Sequence, residues 1–268
     1  MRQTIRRVEL VELAITEYEA TRETPPPLVL APGLFGAARN WRALAKRMCA
    51  RRRVVAVDMR NHGASPWSDR HDYPAMAGDL AALIQRLGAP AAVLGHSMGG
   101  KAAMALAETR PELVERLIVA DIAPVAYDHD LFAEIEAMRA VPLAGMTRRA
   151  EVEAALAPRI EAPAVRSFLA QSAILDEAPR WSLNLDALEA HMDALTGYPE
   201  LGGRYEGPVL MLYGAVSDYV TPAHHDAILE RFPAARFQAL EGAGHWLHAD
   251  RPREFLDAVN GFLDEGVD

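Results

Sequence analysis

The sequence predicts an α/β domain: a mostly parallel central sheet flanked by helices, with a small all-helical cap inserted. Three observations lead there. Short apolar strands alternate with helical segments through the first 122 residues. The alternation stops between Asp128 and His191, where only helical spacing is found. It resumes at Pro208 and runs to the last helix. Strands joined by short helical crossovers are the mark of a parallel sheet covered on both faces.

In chain order, Val8 to Tyr18 alternates loosely and reads as a strand, and Thr24-Pro25-Pro26-Pro27 interrupts it. Leu28 to Ala31 is a short strand closed by Pro32-Gly33. Asn40 to Cys49 has helical spacing through Trp41, Leu44 and Met48. Arg53 to Val57 is a strand that stops at Asp58. Tyr73 to Leu87 is a helix with Met76, Leu80, Leu83, Ile84 and Leu87 on one side, and Gly88 is its stop. Ala91 to Leu94 is a strand, Met98 to Glu108 a helix and Leu117 to Ala120 a strand. Four helices follow, Leu131 to Val141, Arg148 to Leu156, Ala162 to Leu175 and Leu185 to Leu195, punctuated by Pro142, Pro158, Pro163 and Pro179. Strand Pro208 to Tyr213, helix Ala223 to Arg231, strand Arg236 to Leu240 and helix Pro252 to Leu263 complete the core. The division expected is a core of residues 1–122 and 205–268 with a helical cap of residues 123–204. An insert that leaves a strand end lies over the carboxyl edge of the sheet, where such folds bind ligands.

Bulk properties narrow the classes. The chain has 268 residues, 50% of them hydrophobic, enough for a sizeable core. Its net charge of -9 argues against nucleic acid or an anionic membrane as partner. Glu9 and Glu12 sit where a signal peptide would need its apolar run, and no run of ~20 apolar residues offers a membrane span. Cys49 is the only cysteine, so no intrachain disulfide can form. A cytoplasmic location is the expectation.

The chemistry concentrates at Gly95-His96-Ser97-Met98-Gly99. This is G-x-S-x-G between a strand and a helix, the context in which the motif exposes a nucleophilic serine. Small neighbours let helix and strand approach, and the helix start offers its positive end to developing negative charge. A serine hydroxyl needs a base. His245, in "EGAGHWLHADRP" between the last strand and the last helix, fills that slot, while His96 and His248 read as structural. A carboxylate must orient the histidine. Two loops at the sheet edge offer one: Asp121 ends "LIVAD", and Asp218 lies in "YGAVSDYVTP". The residues alone leave the two close to even. Two backbone amides must hold an oxyanion, and Met98 and Leu34, with Phe35 beside it, are the candidates. Phe35, Trp41, Trp181 and Trp246 are candidate substrate-binding aromatics. No Cys/His cluster has metal-site spacing, and "GHSMGGKAAM" lacks the Ser/Thr that a phosphate loop needs after Lys101. No metal and no cofactor is expected.

Taken together, "PGLFG" with "NW" at 40–41, "DMRNHGASP" at 58–66, "GHSMGGKAAM" at 95–104, "DIAPVAY" at 121–127, "NLDAL" at 184–188 and "GHWLHADRP" at 244–252 resemble the α/β-hydrolase superfamily over essentially the whole chain. Within it they resemble the YbfF-type esterases and their ABHD11-like relatives. The resemblance implies an α/β-hydrolase fold and a cofactor-free serine ester hydrolase for small to medium acyl esters or thioesters. It departs in two places. Relatives carry His-Gly where this chain has Pro32-Gly33. Relatives often lack a carboxylate at Asp218 and use the acid matching Asp121, whereas the wider superfamily favours Asp218. That tips the expectation slightly to Asp121, with Asp186 of "NLDAL" a weaker third. Dehalogenases and epoxide hydrolases of similar fold would carry Asp where Ser97 stands. Thioesterase, cofactor-free haloperoxidase and carbon–carbon hydrolase chemistry all keep the serine. A non-catalytic binding protein would need none of the three side chains.

Overall fold

The computed structural model describes residues 9–20, 26–88 and 90–265. The chain opens with strand β1 (Ile15–Tyr18) and β2 (Leu28–Ala31). A 3-10 turn, Ala38–Trp41, leads into helix α1 (Arg42–Met48). Strand β3 (Val54–Val57), helix α2 (Tyr73–Arg86), strand β4 (Ala91–His96), helix α3 (Met98–Thr109) and strand β5 (Val114–Ala120) follow. Between β5 and the next sheet strand lies an insert. It holds α4 (Phe132–Arg139), α5 (Arg149–Leu156), α6 (Pro163–Ala170), the two-residue strands β6 (Ala173–Ile174) and β7 (Arg180–Trp181), α7 (Leu185–Ala190) and α8 (Met192–Thr196). The chain then returns through β8 (Val209–Gly214), α9 (His225–Arg231), β9 (Ala235–Leu240), α10 (Leu247–Asp250) and α11 (Pro252–Asp264).

The seven-stranded sheet runs β1-β3-β2-β4-β5-β8-β9, and only β1 is antiparallel. Its strands read as continuous apolar runs because both faces are covered. Successive side chains point to opposite faces. Val29, Val55 and Val93 join the core under α2 and α3, whereas Leu28, Leu30, Val54 and Leu94 join the core under α1 and α11. A third core belongs to the insert, and Phe35 from the main domain packs into it with Ile135, Met138, Leu156 and Leu188.

Three expectations need correction. The first strand is short. Val11 N–H donates to Asp79 Oδ1 and Ala14 N–H to Ser65 Oγ, so these amides are committed to side chains before the ladder starts at Ile15. Val8, Thr24 and Pro25 lie outside the described residues. Second, the insert is not purely helical. The helix expected to reach Leu175 ends at Ala170, and β6 pairs antiparallel with β7 across a turn in which Asp176 accepts from Ala178 N–H and Arg180. Third, the helix expected from Leu185 to Leu195 breaks at His191. The His191 imidazole takes the Ala187 carbonyl at 3.0 Å, in competition with the helical amide that would continue the ladder.

Helix α3 lies against the ends of β2 and β4 at van der Waals limit. A Cβ on Gly99 would stand 2.2 Å from the Ala31 carbonyl oxygen, and one on Gly95 would stand 2.2 Å from the Gly99 carbonyl oxygen. Neither neighbour is a flexible side chain. Gly261, on the exposed side of α11, has nothing within 4 Å of its Cβ position. Gly99→Ala is therefore expected to cost about 3 kcal/mol or more of stability through overpacking. Gly261→Ala is expected to raise stability by about 0.5–1 kcal/mol. Urea unfolding of both variants checks the pair, and equal midpoints would contradict the packing argument.

Candidate active site

β4 delivers Ser97 to the carboxyl edge of the sheet. Its register places Gly95 beside Ala31 of β2, and His96 beside Ala120 of β5. Ser97 has φ 52° and ψ -121°, a left-handed backbone that few side chains adopt. Its amide donates to the Ala120 carbonyl at 3.0 Å, and α3 begins at the next residue. The turn is tight, and the hydroxyl lines a cleft instead of the core.

His245 approaches from the loop after β9. Its Nδ1–H donates to Asp121 Oδ2 at 2.8 Å. Asp121 is fully buried one residue past β5. Its Oδ1 accepts from Gly214 N–H at 3.0 Å, and its Oδ2 also accepts from Ser217 Oγ–H at 2.5 Å. Three donors thus hold the carboxylate, and among the described residues none of them is a lysine or arginine. Tyr219 stacks on the His245 ring, with centroids 3.9 Å apart and planes 20° apart. His96 Nε2–H donates to the His245 carbonyl at 2.8 Å and fixes the loop from the other side. Burial holds His96 well below the usual imidazole range, with His245 and His248 adding to the effect. Burial also lowers His248 to about 4, where it stacks on Trp41 at 4.7 Å. Neither is suited to act as a base. Asp218 is exposed and makes no hydrogen bond to His245. Its loop serves Asp121 through Ser217 and Gly214. Asp186 is exposed as well and pairs with Arg139 at 2.6 Å on the insert's surface.

Two backbone amides at the serine's cleft lack an acceptor among the described residues. Met98 N–H is the first of α3, with no helical carbonyl before it. In the loop after β2, Gly36 N–H donates to the Gly33 carbonyl and Phe35 N–H to His62 Nε2 at 3.2 Å. Leu34 N–H is left without an acceptor among the described residues. Leu34 and Met98 both line the cleft with Ser97. A buried carboxylate, an imidazole, a hydroxyl at a strained turn and two spare amides are the parts of nucleophilic acyl transfer.

The sequence profile of the alpha/beta hydrolase family matches residues 28–258. The chain belongs to the α/β hydrolase family. It is 42% identical over 251 residues to the mouse protein named sn-1-specific diacylglycerol lipase ABHD11, covering 90% of this chain and 81% of the mouse protein. It is 36% identical over 245 residues to Escherichia coli esterase YbfF, covering 89% of this chain and 93% of the other. Among solved structures, a marine microorganism esterase superposes with a TM-score of 0.87 at 33% identity, covering 94% and 99% of the two chains.

The cleft of this α/β hydrolase holds about 50 Å³, little more than the share of one or two waters in the liquid. Leu34, Met98 and Ile122 form its sheet side, Tyr73 and Lys101 its inner end, and Leu131, Met192 and Leu195 of the insert its roof. None of the four aromatics expected at the substrate lines it. Trp41 is 1% exposed in the core below the sheet edge, and Phe35 packs into the insert's core. Trp181 Nε1–H donates to the Met138 carbonyl, and Trp246 packs against Phe168. Aromatic residue type alone does not tell a pocket wall from a core.

Lys101 went unassigned in the sequence. One helical turn past Ser97, it is 1% exposed and has no carboxylate partner among the described residues. Its Nζ donates to the carbonyls of Val125 at 2.8 Å, Thr196 at 2.8 Å and Gly197 at 2.6 Å, and it lies 4.8 Å from the Tyr127 ring centroid. Burial lowers it to about 7, yet only the ammonium has three N–H groups for three acceptors. Those carbonyls belong to the two ends of the insert. A lone lysine in the otherwise small and apolar run from Gly99 to Ala107 was the signal that could have revealed it.

The Asp121 contacts make a prediction. Asp121→Asn is expected to lower kcat by about 10³–10⁴-fold, because the amide can no longer hold the imidazole tautomer. Asp218→Asn is expected to leave kcat close to wild type. Steady-state kinetics of both variants, with unfolding temperatures beside them, check the contrast; the reverse ranking would move the role to Asp218.

Proposed function

We propose that the protein is a serine carboxylic-ester hydrolase that works through a covalent acyl-enzyme. The observation that carries the reading is the His245–Asp121 bond, with Asp121 at the end of the strand beside the one that delivers Ser97 to its strained turn. Ser97 Oγ attacks the ester carbonyl carbon while His245 Nε2 takes its proton. The Met98 and Leu34 amides receive the oxyanion. When the tetrahedral adduct collapses, His245 gives that proton to the leaving alcohol. Water then attacks the acyl-enzyme, losing its proton to His245, and the acid departs as Ser97 regains its own. No redox or metal step is needed. Membership of the family and similarity to a lipase and two esterases support ester chemistry.

In this reading residues 123–204 are a cap on a core of 1–122 and 205–268. The roof residues Leu131, Met192 and Leu195 support it, as does the anchoring of both insert ends on Lys101. The small apolar cleft favours small and medium acyl groups. The free Cys49 is in keeping with a reducing compartment such as the cytoplasm.

A fluorophosphonate probe is expected to add one phosphonyl group to the wild-type chain by intact mass and none to Ser97→Ala. Ser97→Ala is expected to lose activity on the order of 10⁶-fold. Equal labelling of the two would end the covalent-serine reading. On p-nitrophenyl esters of increasing acyl length, turnover is expected to be highest for the shorter members. Rates that climb steadily to the longest chains would refute the substrate assignment and leave the serine chemistry standing.

A further inference from the structure

The Phe35 residue is held from two sides. Its N–H donates to His62 Nε2 at 3.2 Å, and its carbonyl accepts from Ser172 Oγ–H of the insert at 3.1 Å. Its φ is +63°, a conformation that costs a non-glycine residue on the order of 1 kcal/mol or more unless its surroundings impose it. The peptide fixed by the His62 bond joins Leu34 to Phe35. The adjacent peptide carries the Leu34 N–H, which has no acceptor among the described residues, and Leu34 lines the cleft with Ser97. A rotation at Phe35 therefore turns the Leu34 amide.

His62 is itself fixed. It is fully buried, and its Nδ1–H donates to the Arg60 carbonyl at 2.9 Å. Donation at Nδ1 leaves Nε2 as the acceptor that the Phe35 amide needs. Burial lowers its pKa to about 4, so the acceptor lone pair persists at neutral pH. Arg60 is anchored in turn by a buried two-bond pair with Asp79 of α2, at 2.6 and 2.8 Å. The same turn holds the insert: Gly63 N–H donates to the Ser182 carbonyl at 2.7 Å, and Asn184 N–H to the Asn61 carbonyl at 3.0 Å. The loop beside the serine is closed by its own Gly36–Gly33 turn bond and is tied to the rest of the fold at Phe35 by one histidine and by a serine that the insert supplies.

We infer that His62 is a positioning residue of the oxyanion hole, which sets the Leu34 amide through the Phe35 peptide, with Ser172 as the insert's half of the same clamp. The inference rests on the ester-hydrolase reading above. It gives "DMRNHG" a task in the reaction that burial alone does not imply. It also couples the seating of the insert to the rate of the chemical step and not only to substrate entry.

The test uses the full chain and three variants, His62→Asn, His62→Gln and Ser172→Ala. Asn keeps a polar group near the Nδ1 position and loses the acceptor at Nε2; Gln can return an oxygen to it. The readouts are kcat and KM on p-nitrophenyl acetate, per serine titrated by fluorophosphonate, and Ki for an alkyl trifluoromethyl ketone, whose adduct places an oxyanion in the hole. Removing an oxyanion donor outright costs about 10²–10³-fold. A displaced donor is expected to cost about ten- to a hundred-fold in kcat for His62→Asn, with KM unchanged and Ki raised by the same factor. His62→Gln is expected to recover most of both, and Ser172→Ala to show a smaller shift in the same two quantities. A purely structural His62 would reduce the titrated serine and leave kcat per site and Ki untouched, and that result overturns the inference. If His62→Asn does not fold, Ser172→Ala decides alone, and wild-type values of kcat and Ki there overturn it equally. A wild-type chain that neither takes the probe nor cleaves the ester refutes the hydrolase reading and the inference with it. An active wild type beside an unaffected His62→Asn refutes the inference only.

Discussion

The approach of α3 to the carboxyl end of β2 governs the rest of the site. With no Cβ on Gly99, the helix start lies against the Ala31 carbonyl, and Ser97 is forced into a left-handed turn. The strain is not confined to the serine. Among the described residues the non-glycine positions with positive φ are Phe35, Asn61, Ser97 and Asp121. They follow β2, β3, β4 and β5, four adjacent strands of the sheet. Each is costly alone, by about 1–3 kcal/mol. Each is held by bonds that a relaxed backbone would lose: Phe35 to His62, Asn61 to Asn184, Ser97 to Ala120 and Asp121 to Gly214. The sheet edge is thus a row of over-determined turns, with Ser97 among them.

Charge along this edge is managed with backbone and side-chain dipoles. Among the described residues the Asp121 carboxylate receives an amide, a hydroxyl and an imidazole N–H, and no lysine or arginine. Among the same residues the Lys101 ammonium receives three carbonyls and no carboxylate. A full ion pair in either place would trade catalytic or anchoring strength for neutralisation. Asp121 bonded to an arginine, for example, would attract the imidazolium less. Lys101 bonded to a carboxylate would release the insert's ends. The Arg60–Asp79 pair does the opposite job, since both partners have 0% side-chain exposure and lock a loop that has only to stay still.

How much of this was legible in the sequence follows from how local each signal is. Ser97, Met98 and Leu34 stand out as candidates because a strand-turn-helix and a glycine-bounded loop are written in adjacent residues. His245 stands out as a candidate because chain order puts it after the last strand. The sheet strands were readable because burial on both faces leaves unbroken apolar runs. The insert was read less well. Its short ladder and its broken helix depend on side-chain bonds such as Asp176 to Arg180 and His191 to Ala187, which compete with helical periodicity without altering it.

The sequence by itself determined the α/β class and singled out Ser97, His245 and the Met98 and Leu34 amides as the candidates, since turn chemistry and periodicity act within a few residues. Only the tertiary structure decided which carboxylate meets the histidine, because Asp121 and Asp218 leave neighbouring strands and differ in burial and not in local pattern. It also decided that Trp41 is core, that Tyr219 stacks on His245, and that Lys101 and His62 reach backbone atoms of distant segments. Those contacts join residues 24 to 124 positions apart, and a distance across the fold is set by how the strands and the insert pack.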